Sequence, residues 1–216
     1  MPYFRRLTYF AALGKAPEVR KILEERTRQL RAKDMHAGLQ EAVFSADGAN
    51  FYAIQTFQDM AELQSWRDGP LVTNSPSTMA IMGNMPLLLH EPFRSALYEG
   101  LLTLGRPPSS PTRYFQRVTR DSTSRQGQTA PGENAGAGHK RQAEGILHSV
   151  QAQVAGPKAG ELVVQLQFAS LSELEEVRAR VAADAASQKL LQETQLLCAG
   201  NATLEISEVL IPMNLR

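Results

Sequence analysis

The stretch YFRRLT at residues 3–8 occurs again, slightly altered, as YFQRVT at residues 114–119. Four of the six positions are identical, and the two copies lie 111 positions apart. The same spacing returns further along without a gap, because Phe57 and the Glu-Leu pair five residues after it fall on Phe168 and a second Glu-Leu pair. Two matches in one register, at opposite ends of a long window, indicate an internal repeat of about half the chain.

Each copy also holds an apolar run followed at once by a helix start. The runs are residues 51–57 and 162–168, and Asp59 and Ser170 come directly after them, each with a Glu three residues on. A side-chain oxygen at such a position accepts from the amide three residues later, and the Glu reaches back to the chain before the helix. Both halves are therefore predicted to contain a strand that leads into a capped helix.

Working outward from these anchors, each half follows the order β-α-β-β-α-β. In the first half the pattern predicts strands at 3–10, 35–44, 50–58 and within 86–98, and helices from Pro17 and over 59–68. In the second half it predicts strands at 113–120, 146–154, 161–168 and 202–211, a helix over 171–183, and helical turns over 186–197 capped by Gly200. The first helix of the second half, residues 121–140, is expected to be degraded, because Gly and Pro are frequent there.

The predicted fold class is α+β, with two tandem ferredoxin-like repeats. The first repeat covers 1–104, a Pro- and Ser-rich linker covers 105–111, and the second repeat covers 112–216. In this arrangement helices cover one face of each four-stranded sheet, and the other face needs cover. Packing of two sheets face to face provides it, either between the halves of one chain or in a homo-oligomer such as a dimer.

Composition excludes several classes of function. The chain has 216 residues, 23 Lys and Arg against 22 Asp and Glu, and a single cysteine, Cys198. This balance disfavours a nucleic-acid binder, and one cysteine excludes an internal disulfide and multi-cysteine zinc sites. No apolar run reaches the ~20 residues that span a bilayer, and no secretory signal is recognisable, so we expect a cytoplasmic protein.

Several short segments resemble the NIPSNAP-type domain, a relative of the dimeric α+β barrel proteins that include antibiotic-biosynthesis monooxygenases. The segments are Arg6-Leu7-Thr8-Tyr9, Gly14-Lys15, Phe57 with Trp66, Ser187 to Leu191, Leu204-Glu205-Ile206 and Pro212. The resemblance covers most of both halves as a tandem pair. It implies sheet-on-sheet barrel packing, and it implies relatives that are small monooxygenases, haem-degrading enzymes or proteins of unknown activity.

Four residues are candidates for ligand contact, and each has a structural alternative. Arg6 and Arg117 recur at the same place in both halves and could hold an acidic ligand, pair across the interface between the halves, or point to solvent. His90 is a candidate haem ligand or general base if it faces a barrel interior, and otherwise a histidine that is on the surface or satisfied by hydrogen bonds within the fold. Trp66 is either a ligand platform or part of the core. No metal-ligating pair is recognisable.

Two functional hypotheses remain from the sequence. The first is a binding or structural module for a small apolar or acidic ligand, without catalysis and without a cofactor, because no polar constellation is clustered in the sequence. The second is a small barrel enzyme, either a cofactor-light monooxygenase or a haem-binding or haem-degrading protein, and it rests on the resemblance alone.

Overall fold

The structure is a computed structural model, and it describes residues 2–45, 48–69, 82–104, 111–122, 148–157, 159–183, 185 and 198–213. The described elements, in chain order, are β1 (Tyr3–Tyr9), α1 (Ala16–Arg31), β2 (Ala37–Ser45), β3 (Phe51–Phe57), α2 (Met60–Asp68), α3 (Met85–Leu88), β4 (Arg94–Leu104), β5 (Tyr114–Ser122), β6 (His148–Ala155), β7 (Leu162–Phe168), α4 (Leu171–Ala183) and β8 (Cys198–Ile211).

Eight antiparallel strands form one closed barrel in the order β1-β3-β2-β8-β5-β7-β6-β4. Each half contributes four neighbouring strands with the same internal order, β4-β1-β3-β2 in the first and β8-β5-β7-β6 in the second. The halves meet where β2 pairs with β8 and where β4 pairs with β6. The α+β fold of two ferredoxin-like units packed into a barrel is therefore confirmed, and the barrel closes within one chain.

Strand registers are equivalent in the two halves. Tyr3 lies opposite Phe57 between β1 and β3, and Tyr114 lies opposite Phe168 between β5 and β7. Because successive side chains of a strand point to opposite faces, β1 sends Arg5 outward toward the helices and Arg6 into the barrel. Two adjacent arginines thus belong to two different environments.

Helix α1 covers the outer face of the first sheet. Its buried positions are Val19, Leu23, Thr27 and Leu30, at helical spacing, and the Thr27 hydroxyl donates to the carbonyl of Leu23 at 2.8 Å. Val19 and Leu23 pack with buried residues of β1, β2 and β3. On the second sheet, α4 buries Leu174 and Val177 against Phe168.

The two predicted capping boxes are present. The Asp59 carboxylate accepts from the amide of Glu62 at 2.8 Å, and the Glu62 carboxylate accepts from the amide of Gln58 at 2.6 Å. In the second half the Ser170 hydroxyl accepts from the amide of Glu173 at 3.1 Å, and that glutamate also accepts from the amide preceding Ser170 at 2.7 Å. The sequence pattern therefore located the start of both helices.

Two sequence predictions are corrected. The fourth strand of the first half lies at Arg94–Leu104 rather than within 86–98, because Pro86 starts the short helix α3 and the strand extends to pair with both β1 and β6. Gly200 lies inside β8 and does not cap a helix. Strand β5 reaches Ser122, and the rest of the predicted degraded helix lies outside the described residues.

The boundaries of the predicted domains and linker stay predictions, since 105–110 and 123–147 lie outside the described residues. The same holds for the predicted helical turns over 186–197. None of the helices in the described part of the chain combines the length and apolarity needed to cross a bilayer.

Candidate ligand site

A cavity of about 150 Å³ lies between α1 and the outer face of the first sheet, and we call it the outer cavity. Much of its wall is apolar, and its apolar side chains include Leu7, Leu23, Leu30, Ala53, Met82 and Phe93. The polar groups on this wall are few, and three of them are strong donors: Arg5, Tyr9 and Arg26. A mostly apolar pocket with a few convergent polar groups is the usual form of a small-molecule site.

The three donors keep their protons at neutral pH. Burial raises the pKa of Tyr9 to about 12, and the nearby Arg5 and Arg26 charges offset this only in part. Burial also lowers the pKa of both Arg5 and Arg26, but arginine starts so high that both stay charged. The outer cavity therefore presents a neutral phenol and two cations to any occupant, so an anionic oxygen is the complementary ligand group.

Arg5 is fixed by neutral partners. Its guanidinium donates from Nη1 to the Gln55 side-chain oxygen at 3.2 Å and from Nε to the Ser95 hydroxyl at 3.3 Å. It also lies 4.6 Å from the centre of the Trp66 ring, a distance typical of a cation–π contact. These contacts orient the guanidinium without neutralising its charge, which leaves that charge available to a ligand.

Trp66, one of the predicted contact residues, lies on the outer side of the first half. Its ring is 5.5 Å from that of Phe57, and its indole nitrogen is buried without a hydrogen-bond partner among the described residues. Besides the outer cavity, it lines a neighbouring groove of about 340 Å³ together with Arg67 and Gly156. Trp66 and Arg5 thus belong to the walls of both spaces.

The predicted pair Arg6 and Arg117 lies in the barrel interior, away from the outer cavity. Arg6 is 7% exposed and Arg117 4%, and both are near Glu205, which is 8% exposed. Arg6 Nη2 donates to Glu205 Oε2 at 2.6 Å, whereas Arg117 Nε is 3.8 Å from the same oxygen. The guanidinium carbon of Arg6 lies 3.8 Å from the centre of the Tyr52 ring, and that of Arg117 lies 4.9 Å from the centre of the Tyr98 ring.

The two interior arginines differ electrostatically. Burial opposes the charge of Arg6, but Glu205 and two tyrosines outweigh it, so the pKa of Arg6 is raised. Burial and the neighbouring Arg6 charge together lower the pKa of Arg117. Of these two equivalent positions, one therefore holds an arginine hydrogen-bonded to a carboxylate, and the other holds an arginine without such a bond.

His90 lies at the end of α3, near one end of the barrel. Its side chain is exposed, its Nδ1 is 3.3 Å from the backbone carbonyl oxygen of Phe10, and its ring meets that of Phe10 edge-on at 5.9 Å. It does not line the outer cavity. The described residues contain no group of three or more His, Cys, Asp or Glu able to hold a metal ion.

Four residues of these sites were not predicted from the sequence as contact residues. Arg5 and Tyr9 could have been found, because alternation along β1 separates them from Arg6 and turns them toward the helix face. Arg26 and Glu205 could not, since their positions depend on how α1 and β8 pack on distant strands; Glu205 is 199 residues from Arg6.

Comparison with solved structures shows the same fold throughout the chain. A candidate monooxygenase from Fusobacterium nucleatum superposes with a TM-score of 0.68 at 10% identity, over 98% of this chain and 93% of that one. An anthrone oxidase-like protein gives 0.66 at 16% identity, over 97% and 91%. The chlorite dismutase from Candidatus Nitrospira defluvii gives 0.56 at 9% identity, over 95% and 90%.

Neither family models nor curated proteins add to this likeness. No family model matches the chain, and no curated protein matches it. At such low identities the structural likeness establishes architecture alone. The chain therefore has the dimeric α+β barrel fold, with both units in one polypeptide.

Proposed function

We propose that this protein binds a flat apolar small molecule bearing an anionic oxygen, in the outer cavity of the first half. The observation that carries the proposal is the convergence of Arg5, Arg26 and the protonated phenol of Tyr9 on an otherwise apolar wall. Apolar surface provides affinity, and the donors fix the position of the anionic group.

The volume of the outer cavity limits the size of the ligand. At about 150 Å³ the outer cavity is smaller than the ~300–1,000 Å³ of typical ligand pockets. One or two fused rings with a carboxylate, phenolate or enolate oxygen match this volume. Trp66 offers a ring face at the wall, against which an aromatic ligand can stack.

The experiment compares a charged ligand with a neutral one of the same shape. The probes are 2-naphthoate and 2-naphthamide, and the readout is quenching of Trp66, the single tryptophan of the chain. We expect saturable quenching by naphthoate and much weaker binding of the amide, because a hydrogen bond to a charged group contributes about 1.5–3 kcal/mol. Equal affinities for the two probes would contradict the proposal.

A matched pair of variants assigns the effect to Arg5. Arg5→Met removes a donor of the outer cavity and should weaken naphthoate binding about 10- to 100-fold. Arg67→Met removes the same charge from the neighbouring groove, where Trp66 is also present, and should leave the affinity within about twofold. A similar loss in both variants would mean that long-range charge, rather than contact in the cavity, attracts the probe.

A second candidate is a monooxygenase that needs no cofactor, acting on the same ligand class. Two solved structures of this architecture are described as a candidate monooxygenase and an anthrone oxidase-like protein. In such a reaction an activated methylene is oxidised to a ketone while O₂ supplies one oxygen atom to the product and one to water. Tyr9, Arg5 and Arg26 would stabilise the enolate oxygen formed when the methylene loses a proton.

An oxygen electrode distinguishes this candidate from simple binding. With 2-indanone as substrate, a two-ring ketone with an activated methylene, the enzyme would consume one O₂ per ketone formed, above the rate without protein, and Tyr9→Phe would slow it. Because Tyr9 stays protonated, it serves as a donor and not as the base. Binding of naphthoate without any O₂ uptake would leave the first proposal standing and eliminate the second.

The described lining of the outer cavity does not fit a haem group. The described lining of the outer cavity has no imidazole or thiolate for an axial bond, and Tyr9 keeps the proton that a phenolate ligand would have lost. Haem binding at His90 stays a prediction, and hemin titration of the parent and of His90→Ala tests it through the Soret band.

Two finer assignments belong to the proposal as well. The NIPSNAP resemblance and association into a homodimer both stay predictions. Light scattering of the full chain tests the second, because a dimer doubles the scattering mass.

A further inference from the structure

The barrel interior places two buried arginines, Arg6 and Arg117, close to each other. Arg6 and Arg117 share one carboxylate, that of Glu205, and all three residues are at least nine-tenths buried. Tyr52 and Tyr98 lie with their ring faces against the two guanidinium groups and offer no carboxylate. A second buried acid, Glu161, directly precedes β7, four residues before Gln165, the cross-strand partner of Arg117, and is not among the groups that shift the pKa of Arg117.

Arg117 has more unpaired buried N–H groups than Arg6, of which only Nε lacks a partner. Its Nε and Nη2 atoms are buried and have no hydrogen-bond partner among the described residues. Its contact with Glu205, at 3.8 Å, is too long for a hydrogen bond. A buried guanidinium cannot relieve this by releasing its proton, as a lysine can, because arginine stays charged in proteins.

A water molecule alone would satisfy the hydrogen bonds of Arg117 but not its charge. A buried water molecule can accept from the free N–H groups, but it leaves the excess positive charge uncompensated in a low-dielectric interior. A small anion meets both requirements, since it accepts from Nε and Nη2 and balances the second arginine. A monatomic anion takes little more room than a water molecule.

We infer that the interior of the barrel is a binding site for a small monovalent anion, of the chloride or bromide class, held by Arg117 between the two halves of the chain. The site is separate from the outer cavity, because Arg6 and Arg117 face the barrel interior while Arg5 and Tyr9 face the helices. Strands of both halves surround this site, so an anion bound there would stabilise the closed barrel.

The first measurement is thermal unfolding of the full chain in chloride and in gluconate at equal ionic strength, since gluconate is a much larger anion than chloride. We expect the parent Tm to rise saturably with chloride, by about 3–6 °C at tenfold above Kd. Arg117→Met should remove the dependence. Arg113→Met is the matched control, because it takes the same charge from an exposed position near the start of β5 and should keep the dependence.

The second measurement does not depend on any variant folding. Crystals of the parent grown in bromide should show an anomalous peak within hydrogen-bonding distance of Arg117 Nη2. A parent Tm that is equal in chloride and gluconate, together with bromide peaks only on the surface, would overturn the inference. A chloride effect that survives in a folded Arg117→Met variant would overturn it as well, because the anion would then bind elsewhere.

Discussion

Replacing Glu205 by glutamine tests whether burial makes the Arg6–Glu205 ion pair contribute strongly to the stability of the fold. The change keeps the size and shape of the side chain but removes the charge that Arg6 contacts at 2.6 Å. Two buried guanidinium groups would then lack any carboxylate. Breaking a buried pair in this way costs about 3–5 kcal/mol. For a chain of this length we expect Tm to fall by about 6–20 °C.

Glu208→Gln is a matched control on the same strand. Glu208 also pairs with an arginine, Arg113, at 2.9 Å, but the two side chains are 34% and 63% exposed, against 10% and 8% for Glu205 and Arg6. Exposed pairs contribute about 0.2–1 kcal/mol, because water screens them. The two substitutions therefore differ in burial much more than in distance or chemistry.

Urea denaturation followed by Trp66 fluorescence measures both variants, with far-UV circular dichroism as a second probe. Coincident transitions with an unchanged slope against urea would justify comparing free energies of unfolding. If Glu205→Gln and Glu208→Gln lowered stability equally, or if Glu205→Gln cost less than about 1 kcal/mol, the argument from burial would be wrong.

Three further predictions concern the caps, a turn and a buried phenol. Asp59→Ala and Ser170→Ala should each cost about 0.5–2 kcal/mol in urea denaturation, and parental stability in both would contradict the capping. Gly156→Ala should lower Tm more than Gly14→Ala. Gly156 has a φ of +126°, and a Cβ added there would lie 3.0 Å from the backbone of β4. Gly14 also has a positive φ, +76°, but a Cβ added there would meet open space. The folded state keeps the proton of Tyr9 up to a pKa of about 12, whereas the unfolded chain releases it near pH 10, so stability should fall by about 2–3 kcal/mol between these values. Tyr9→Phe should remove that part of the pH profile, and identical profiles would refute the assignment.

The sequence was most informative where structure is local. Both capping boxes, the run at 51–57 and the helix over 171–183 follow from patterns within a dozen residues. The fourth strand was misplaced because Pro86 and Pro92 interrupt the apolar pattern, and the length of β4 depends on pairing with β6, which is distant in sequence.

The candidate sites were harder to predict, because they depend on packing between distant elements. Arg6 and Arg117 were found through the repeat, but their shared acid was not, since Glu205 reaches Arg6 across the barrel from another half. The outer cavity needs Arg26 of α1 to meet Tyr9 of β1, and helical periodicity alone does not say which strand α1 covers.

Closure of the barrel within one chain has a consequence for symmetry. Arg117 lies opposite Glu205 in its sheet, whereas Arg6, at the equivalent position, lies opposite Ala96. A barrel made of two identical chains would place the same residue at both positions, giving either two acids or none. A single acid between two arginines is therefore an arrangement that covalent fusion permits and a two-fold axis forbids.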